Sequence, residues 1–368
     1  MGLSIGIVGL PNVGKSTLFK AITKKQVDAS NFPFCTIDPN VGIVNAPDAR
    51  LEKLAVISKS AKIIPATIKF VDIAGLVSGA HKGEGLGNKF LANIREVDAI
   101  CHIVREFSDP NVIHVSGKVD PKSDMEVINL ELIFADMSVV AKRLESIKKE
   151  MRAGNKHVAE VNAVLEKVMK ILEKGHLASD AELDNEEKYL IKELSLLTLK
   201  PMLFVANVDE KKYYFEQSGA KSNGLSLEEL NLPIGKSPLI NISAKIESEL
   251  AELSEEEAKE YMKELGITES GLDKLIVASY KLLGLLTFFT SGEMETRAWT
   301  VVNGAKAPQA AGVIHTDFES NFIRAEVVSY DDFISCNGWN GAKENGVMRV
   351  EGKDYIICDG DVMFFRHG

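Results

Sequence analysis

Residues 9–17 read Gly9-Leu-Pro-Asn-Val-Gly14-Lys15-Ser16-Thr17 and match the pattern G-x-x-x-x-G-K-S/T. The apolar run Leu3–Val8 precedes this stretch and the helix-compatible run Leu18–Ile22 follows it. The order strand, glycine loop, helix is the setting in which the pattern cradles phosphate, because loop amides and the positive end of the helix dipole attract anionic oxygens. Lys15 is expected to reach the β- and γ-phosphates, and the Ser16 hydroxyl to bind Mg²⁺. The stretch therefore predicts a nucleoside triphosphate site on an α/β domain.

Composition is typical of a globular protein of two or three domains. The 368 residues are 45% hydrophobic and 26% charged, and no apolar run approaches the roughly 18 residues that span a bilayer, so no membrane partner is expected. The N-terminus has no basic region ahead of its apolar run, which argues against a signal peptide. The four cysteines lack metal-ligand spacing, which favours reduced thiols and a cytoplasmic location.

Apolar runs alternate with helix-like segments in the pattern of a parallel α/β sheet. After the first strand, the clearest predicted strands are residues 68–73, 99–104, 200–206 and 238–242. Apolar residues spaced by three and four mark two helical seams between residues 133 and 172, interrupted at Gly154 and Asn155. Such a pattern predicts an antiparallel coiled-coil hairpin inserted as an arm, with helices that simply pack on the sheet as the alternative.

The predicted arm is positively charged although the chain has a net charge of −10. Residues 142–174 hold nine Lys and Arg against five Glu, a net charge of +4. Six of these cations cluster toward the predicted turn: Lys142, Arg143, Lys148, Lys149, Arg152 and Lys156. A solvated helix surface and a surface that faces RNA would both carry such charge, so both interpretations stay open.

From residue 283 onward, short β-rich runs alternate with glycines, which predicts a separate small α+β domain. The predicted organisation has three parts. Residues 1–125 and 200–282 form a discontinuous nucleotide-binding domain, residues 126–199 a helical coiled-coil insertion, and residues 283–368 the C-terminal domain.

A second phosphate-linked motif, Asp72-Ile-Ala-Gly75, ends a predicted strand and matches D-x-x-G. Asp72 is expected to hold the magnesium shell through water, and the Gly75 amide to meet the γ-phosphate. The loop of residues 31–40 lies between the two motifs, and we expect its Thr36 hydroxyl to be the second protein ligand of Mg²⁺ after Ser16. A plain turn residue between two prolines is the alternative for Thr36.

The base-recognition motif differs from that of GTPases with this layout, which carry N-K-x-D after a strand. Here the strand ends in Asn207-Val208-Asp209-Glu210. The longer Glu210 suits a guanine clamp poorly, whereas adenine can be read by a backbone N–H and C=O pair, for which we expect the Val208 main chain to serve. Ser243 opens the loop that is expected to pack on the base. The motif therefore predicts ATP, with GTP binding more weakly.

The residue that orients the attacking water is not obvious from the sequence. Gln commonly follows D-x-x-G in this role, but Leu76 stands there and cannot donate or accept a hydrogen bond. Asn12 is expected to help hold a monovalent cation such as K⁺ against the phosphates. His114 and, with less support, His81 are the candidates for orienting water.

Taken together, residues 9–17, residues 31–40, Asp72-Ile-Ala-Gly-Leu-Val and Asn207-Val-Asp-Glu resemble the YchF subfamily of Obg-like ATPases. Residues 292–300, 307–312 and 314–319 resemble its C-terminal TGS domain. The resemblance implies a P-loop NTPase domain with an inserted coiled coil, a β-grasp TGS domain, Mg²⁺ dependence and association with the ribosome. By position it also implies these nucleotide contacts: Asn12, Val13, Gly14, Lys15, Ser16, Thr17 and Val208. The family further supports a role for His114.

The sequence thus predicts a slow regulatory ATPase with Lys15, His114 and Gly75 as catalytic residues. Asn207, Val208, Glu210 and Ser243 are the predicted base contacts, and Ser16, Thr36 and Asp72 the predicted Mg²⁺ site. Two alternatives remain: a GTPase switch of the same fold, and an ATP-sensing binding module with negligible turnover. The ribosome or ribosomal RNA is the expected macromolecular partner.

Overall fold

The structure, a computed structural model, describes residues 3–25, 40–73, 87–110, 112, 118–151, 156–217 and 237–368. The chain divides into two compact units, residues 1–42 with 69–275 and residues 43–68 with 276–368. The described strands are β1 Ser4–Val8, β2 Val41–Asn45, β3 Ile63–Ile64, β4 Thr67–Asp72, β5 Ala99–Arg105, β6 Met202–Asn207, β7 Leu239–Ile242, β8 Leu285–Ser291, β9 Thr296–Val302, β10 Phe322–Ser329, β11 Arg349–Glu351 and β12 Asp361–His367.

The described helices follow the same chain order. They are α1 Lys15–Lys24, α2 Ala49–Ser58, α3 Asn88–Glu96, α4 Pro121–Met151, α5 Lys156–Leu172, α6 Asn185–Leu190, α7 Glu210–Gln217, α8 Ala244–Leu250, α9 Glu255–Glu264, α10 Gly271–Leu282, α11 Ala307–Ile314, α12 Thr316–Ser320, α13 Tyr330–Ser335 and α14 Trp339–Glu344. Among these described helices, none is long and apolar enough to cross a membrane.

The first sheet has the order β2-β4-β1-β5-β6-β7. The pairs β1–β4, β1–β5, β5–β6 and β6–β7 are parallel, so the carboxyl ends of these strands meet at one edge. Every residue of β1, β5 and β6 is buried, as expected for parallel strands covered on both faces. The predicted α/β class is confirmed, and the predicted strands are displaced from the observed ones by no more than two residues.

The predicted helical seams fall on α4 and α5, which pack against each other. Val140, Ile147, Leu165 and Val168 are all fully buried. The N-terminal part of α4 also packs on β5, and its residues Ile128 and Leu132 join Val104 in one continuous apolar core. The described helices therefore show features of both interpretations, because α4 contacts the sheet near its start and also packs against α5.

The second unit holds the sheet β11-β10-β12-β8-β9-β3. One apolar cluster joins Phe288, Val327 and Met363 to α11, and another joins Phe289 and Val362 to α2 and α13. The second unit therefore has its own core, in keeping with the predicted α+β composition.

Residues 43–68 belong to this second unit, whereas the sequence predicted that they lie in the nucleotide-binding domain. Leu51 and Leu54 of α2 are buried against Phe289 and Val362, and β3 pairs with β9. The difference arises because α2 is amphipathic, and an apolar helix face can be buried in either core without any change in its local sequence pattern.

A buried histidine lies in the middle of the first sheet. His102 on β5 is 1% exposed, and its ring centroid lies 5.3 Å from that of Phe204. Its Nε2 has no hydrogen-bond partner among the described residues. Burial disfavours the imidazolium and lowers the pKa of His102 from 6.5 to about 3.

We expect His102 to make the protein less stable in mild acid. The unfolded chain takes up a proton at His102 as the pH falls below its ordinary pKa, and the folded chain does not. The contribution of neutral His102 to the free energy of unfolding is therefore fully present above pH 6.5 and is lost as the pH falls toward 3. Between pH 7.5 and 5.0 this residue alone should lower the free energy of unfolding by about 2 kcal/mol. Urea unfolding of the wild type and of His102→Leu at both pH values measures the difference, and equal losses in the two proteins would contradict the assignment.

Candidate functional site

The phosphate loop has the backbone that its sequence predicts. Gly14 precedes α1 with φ 92°, and a Cβ there would lie 2.1 Å from Asn207 Nδ2, so both conformation and space require glycine. Asn12 also has a positive φ, 63°, which asparagine tolerates. Among the described residues, no side chain caps the N-terminus of α1. The amides of the first turn of α1 therefore suit an anion.

Lys15 and Asp72 come together although 57 positions separate them in the sequence. Asp72 ends β4 and lies opposite Ile7 of β1 in the parallel pair, so the strand register brings it to the phosphate loop. Lys15 Nζ lies 3.7 Å from Asp72 Oδ1, and both side chains are largely buried. Burial lowers the pKa of Lys15, and the nearby carboxylate of Asp72 partly offsets that shift. Ser16, the next residue, is exposed.

The site chemistry suits Mg²⁺. The Ser16 hydroxyl and the Asp72 carboxylate provide hard oxygen atoms, the ligand type that this cation prefers. Ser16 follows Lys15 in the sequence, and Asp72 Oδ1 lies 3.7 Å from the Lys15 ammonium group. The residue types at the start of α1 and the end of β4 therefore fit a magnesium ion.

Several predicted site residues lie outside the described residues. These are Thr36, Gly75 and His114, together with Leu76 and His81. The described chain resumes at Asn40, whose carbonyl accepts a hydrogen bond from the Asp72 amide at 2.8 Å. The last residue of the predicted loop, four positions after Thr36, is therefore held beside Asp72.

Asn207 joins the two loops that were predicted to bind phosphate and base. Its Nδ2 donates to the Val13 carbonyl at 2.9 Å, and its Oδ1 accepts from the Ala244 amide at 2.9 Å. The side chain is 6% exposed. The sequence predicted Asn207 as a base contact, whereas the structure uses both ends of its amide to connect the loops.

Val208 and Ser243, which are adjacent in sequence to Asn207 and Ala244, are buried, with 2% and 1% exposure. The Val208 amide donates to the Ile242 carbonyl at 2.9 Å, and the Ser243 carbonyl accepts from the Glu247 amide. The Val208 N–H therefore donates within the β6–β7 pair in this structure, and the expected contact between the Val208 main chain and adenine stays a prediction. The Val208 carbonyl remains the candidate acceptor for the adenine amino group.

Glu210 begins α7, and Lys245 lies in the first turn of α8. Lys245 Nζ is 2.5 Å from Glu210 Oε1, and the two side chains are 68% and 36% exposed. The carboxylate of Glu210, a predicted base contact, is thus paired with a cation from the first turn of α8.

Sequence reasoning missed Arg105, which ends β5 at the same edge of the sheet. Its side chain is 2% exposed, and its guanidinium donates to the carbonyls of Phe107, Asp109 and Val112 at 3.1, 3.3 and 3.0 Å. These bonds hold the backbone carbonyls of three residues that follow β5. The available sequence signal is an arginine at the end of an otherwise apolar strand.

Two family models match this chain, one in its N-terminal part and one in its C-terminal part. A family model described as 50S ribosome-binding GTPase matches residues 4–141. A model named for the C-terminal domain of YchF GTPases, and described as a protein of unknown function, matches residues 285–368.

Curated relatives extend the similarity to full length. The ribosome-binding ATPase YchF of Bacillus subtilis is 54% identical, with 100% of this chain and 99% of that protein covered. The protein of the same name from Escherichia coli O157:H7 is 52% identical, with 99% of each covered.

The fold of this chain is also similar to that of a solved structure. The YchF GTPase of Schizosaccharomyces pombe matches with a TM-score of 0.88 and 39% identity, covering 99% of this chain and 98% of that one. The fold predicted from the family resemblance is therefore confirmed, and the chain belongs to the YchF family.

Proposed function

We propose that this protein is a regulatory P-loop ATPase that converts ATP to ADP and phosphate and associates with the ribosome according to its nucleotide state. The observation that carries the proposal is the buried Lys15, which lies 3.7 Å from Asp72 beside the N-terminus of α1. A cation, a carboxylate and first-turn amides at one point suit a triphosphate with its magnesium ion. The names of the curated relatives, ribosome-binding ATPase YchF, support the same activity and partner. We also propose a cytoplasmic location.

Each residue has a distinct role in this proposal. Lys15 binds the β- and γ-phosphates, and the amides of residues 13–17 bind oxygens of the same group. Ser16, with Thr36, would hold Mg²⁺, and Asp72 would contact its water shell. When bound, Mg²⁺ neutralises charge on the phosphate oxygens. Gly75 meets the γ-phosphate, and His114 orients the attacking water. Unassisted turnover is slow because Leu76 replaces the Gln that usually orients this water, and His114 is proposed to take over that role when the ribosome or K⁺ assists.

Parallel titrations of the full chain with ATP and GTP, with and without ribosomes, test this function. We expect ATP to bind about tenfold more tightly than GTP, the size of a mismatch at a polar base edge. Phosphate release in the same samples should rise when ribosomes are added. Tighter GTP binding would favour the GTPase alternative, and undetectable release under both conditions would favour an ATP-sensing module.

Potassium should accelerate hydrolysis if Asn12 helps to hold a monovalent cation. The cation would stabilise charge on the phosphates in the manner of an arginine finger. We expect faster phosphate release in KCl than in NaCl at equal ionic strength, and equal rates in the two salts for Asn12→Ala. Equal rates in the two salts for the wild type would contradict the potassium proposal and leave the ATPase proposal unaffected.

The helical hairpin is proposed to contact ribosomal RNA through its positive residues. Lys148 on α4 is exposed, while the Lys149 side chain and Arg152 lie outside the described residues. Replacing all three with Glu should weaken co-sedimentation with ribosomes and reduce its salt dependence, since each phosphate contact releases a counterion. ATP affinity should not change.

A triple Glu variant at the exposed residues Lys259, Lys263 and Lys343 changes the net charge equally and provides the control. If both triple variants sediment with ribosomes like the wild type, the hairpin surface is not the contact.

A further inference from the structure

We infer that Lys245 is a specificity-determining residue, which excludes guanine by occupying the carboxylate of Glu210 at the position where GTPases read that base. The inference rests on the proposed function, because it assigns a role within the same nucleotide site. It gives a specific role to Lys245, which lies in the segment after Ser243 that is expected to pack on the base and which begins a different helix from Glu210.

The geometry of the two loops supports this role. Val208 and Ile242 are joined by a backbone hydrogen bond of 2.9 Å, and Asn207 and Ala244 by a side-chain bond of 2.9 Å. These bonds fix the ends of β6 and β7 from which α7 and α8 begin. The 2.5 Å contact between Lys245 and Glu210 then joins the two helix starts. The two helix starts that carry Lys245 and Glu210 are therefore held next to each other by hydrogen bonds at the ends of β6 and β7.

The ion pair contributes little to stability, which makes a purely structural role a weak explanation. Lys245 is 68% exposed and Glu210 is 36% exposed, and exposed pairs of this kind stabilise proteins only slightly. Glu249 lies one turn beyond Lys245 on α8, and its Oε2 accepts from the Tyr261 hydroxyl at 3.0 Å. The hydrogen bond to Glu210 is the largest cause that raises the pKa of Lys245, ahead of the charge of Glu249. Glu210 is thus the principal partner of this ammonium group.

The chemistry of the two bases explains how the pair selects between them. Guanine presents N1–H and an amino group as donors, so it gains from a carboxylate with open lone pairs. Adenine presents the N1 acceptor on the same edge, which a bare carboxylate would repel. An ammonium group on Glu210 uses one of its oxygens and neutralises its charge. The pair therefore removes an attraction for guanine and a repulsion for adenine at once.

Calorimetric titration of the full-length protein with ATP and GTP in the Lys245→Met variant tests the inference. We expect the preference for ATP, taken as the ratio of the two dissociation constants, to fall by about three- to tenfold. Lys245→Arg keeps the positive charge and should keep the wild-type ratio. Lys167→Met breaks a different ion pair, between α5 and Glu187 of α6, whose side chains are 43% and 27% exposed, and this control should leave the ratio unchanged.

The outcomes separate this inference from the proposed function. If the wild type does not prefer ATP, the proposed base choice fails. If it prefers ATP and Lys245→Met keeps the same ratio, only the role of Lys245 is overturned. A variant that binds GTP more weakly than the wild type would also overturn it, because Lys245 would then be a donor to the guanine oxygen.

Discussion

Replacing Lys15 with Met should reduce ATP turnover by at least about 100-fold, the loss that follows removal of a single charge-stabilising donor in other enzymes. Lys15 is buried at the start of α1, where the phosphates are expected, and its replacement also removes the positive charge 3.7 Å from the Asp72 carboxylate. Both effects raise the cost of placing a triphosphate at the start of α1. Steady-state phosphate release measures the loss of turnover, and ATP titration measures the loss of binding.

Lys20→Met provides the matched control, because Lys20 lies on the same helix and is exposed. Its turnover should stay close to that of the wild type. Equal turnover in Lys15→Met and Lys20→Met would remove Lys15 from the proposed machinery.

Replacing Asn207 with Ala should weaken ATP and GTP binding by similar factors, about 10- to 100-fold. The reason is that two buried backbone groups lose the side-chain amide to which they are hydrogen-bonded. The lost bonds are those to the Val13 carbonyl and the Ala244 amide. A residue that reads the base would instead change the ratio of the two affinities. Equal loss for both nucleotides thus separates a connecting role from direct base recognition.

Asn129→Ala controls for the removal of a buried amide elsewhere in the chain. Asn129 lies on α4 with 7% exposure, close to the 6% of Asn207. Nucleotide affinities of this variant should match the wild type. If Asn207→Ala changes only ATP affinity, the side chain contacts the base in addition to joining the loops.

Local sequence patterns were sufficient for the central strands of the first sheet, the two helical seams and the phosphate loop. The glycine positions, the buried runs of β1, β5 and β6, and the apolar seams of α4 and α5 each depend on residues near one another in the chain. Asp72 could also be anticipated beside Lys15, because parallel strands bring their carboxyl ends to one edge of a sheet. The family resemblance rests on these same local motifs.

Long-range contacts determined how those motifs are used. The bond from Asn207 to Val13 spans 194 positions, and the bond to Ala244 spans 37, so no local pattern reveals that the Asn207 side chain is already engaged. The same holds for the Val208 amide, the pairing of Lys245 with Glu210, and the burial of α2 in the second unit. A sequence motif identifies which polar side chains are present, but the fold determines which of them form hydrogen bonds and ion pairs with one another. Those contacts decide which donors and acceptors remain for a ligand.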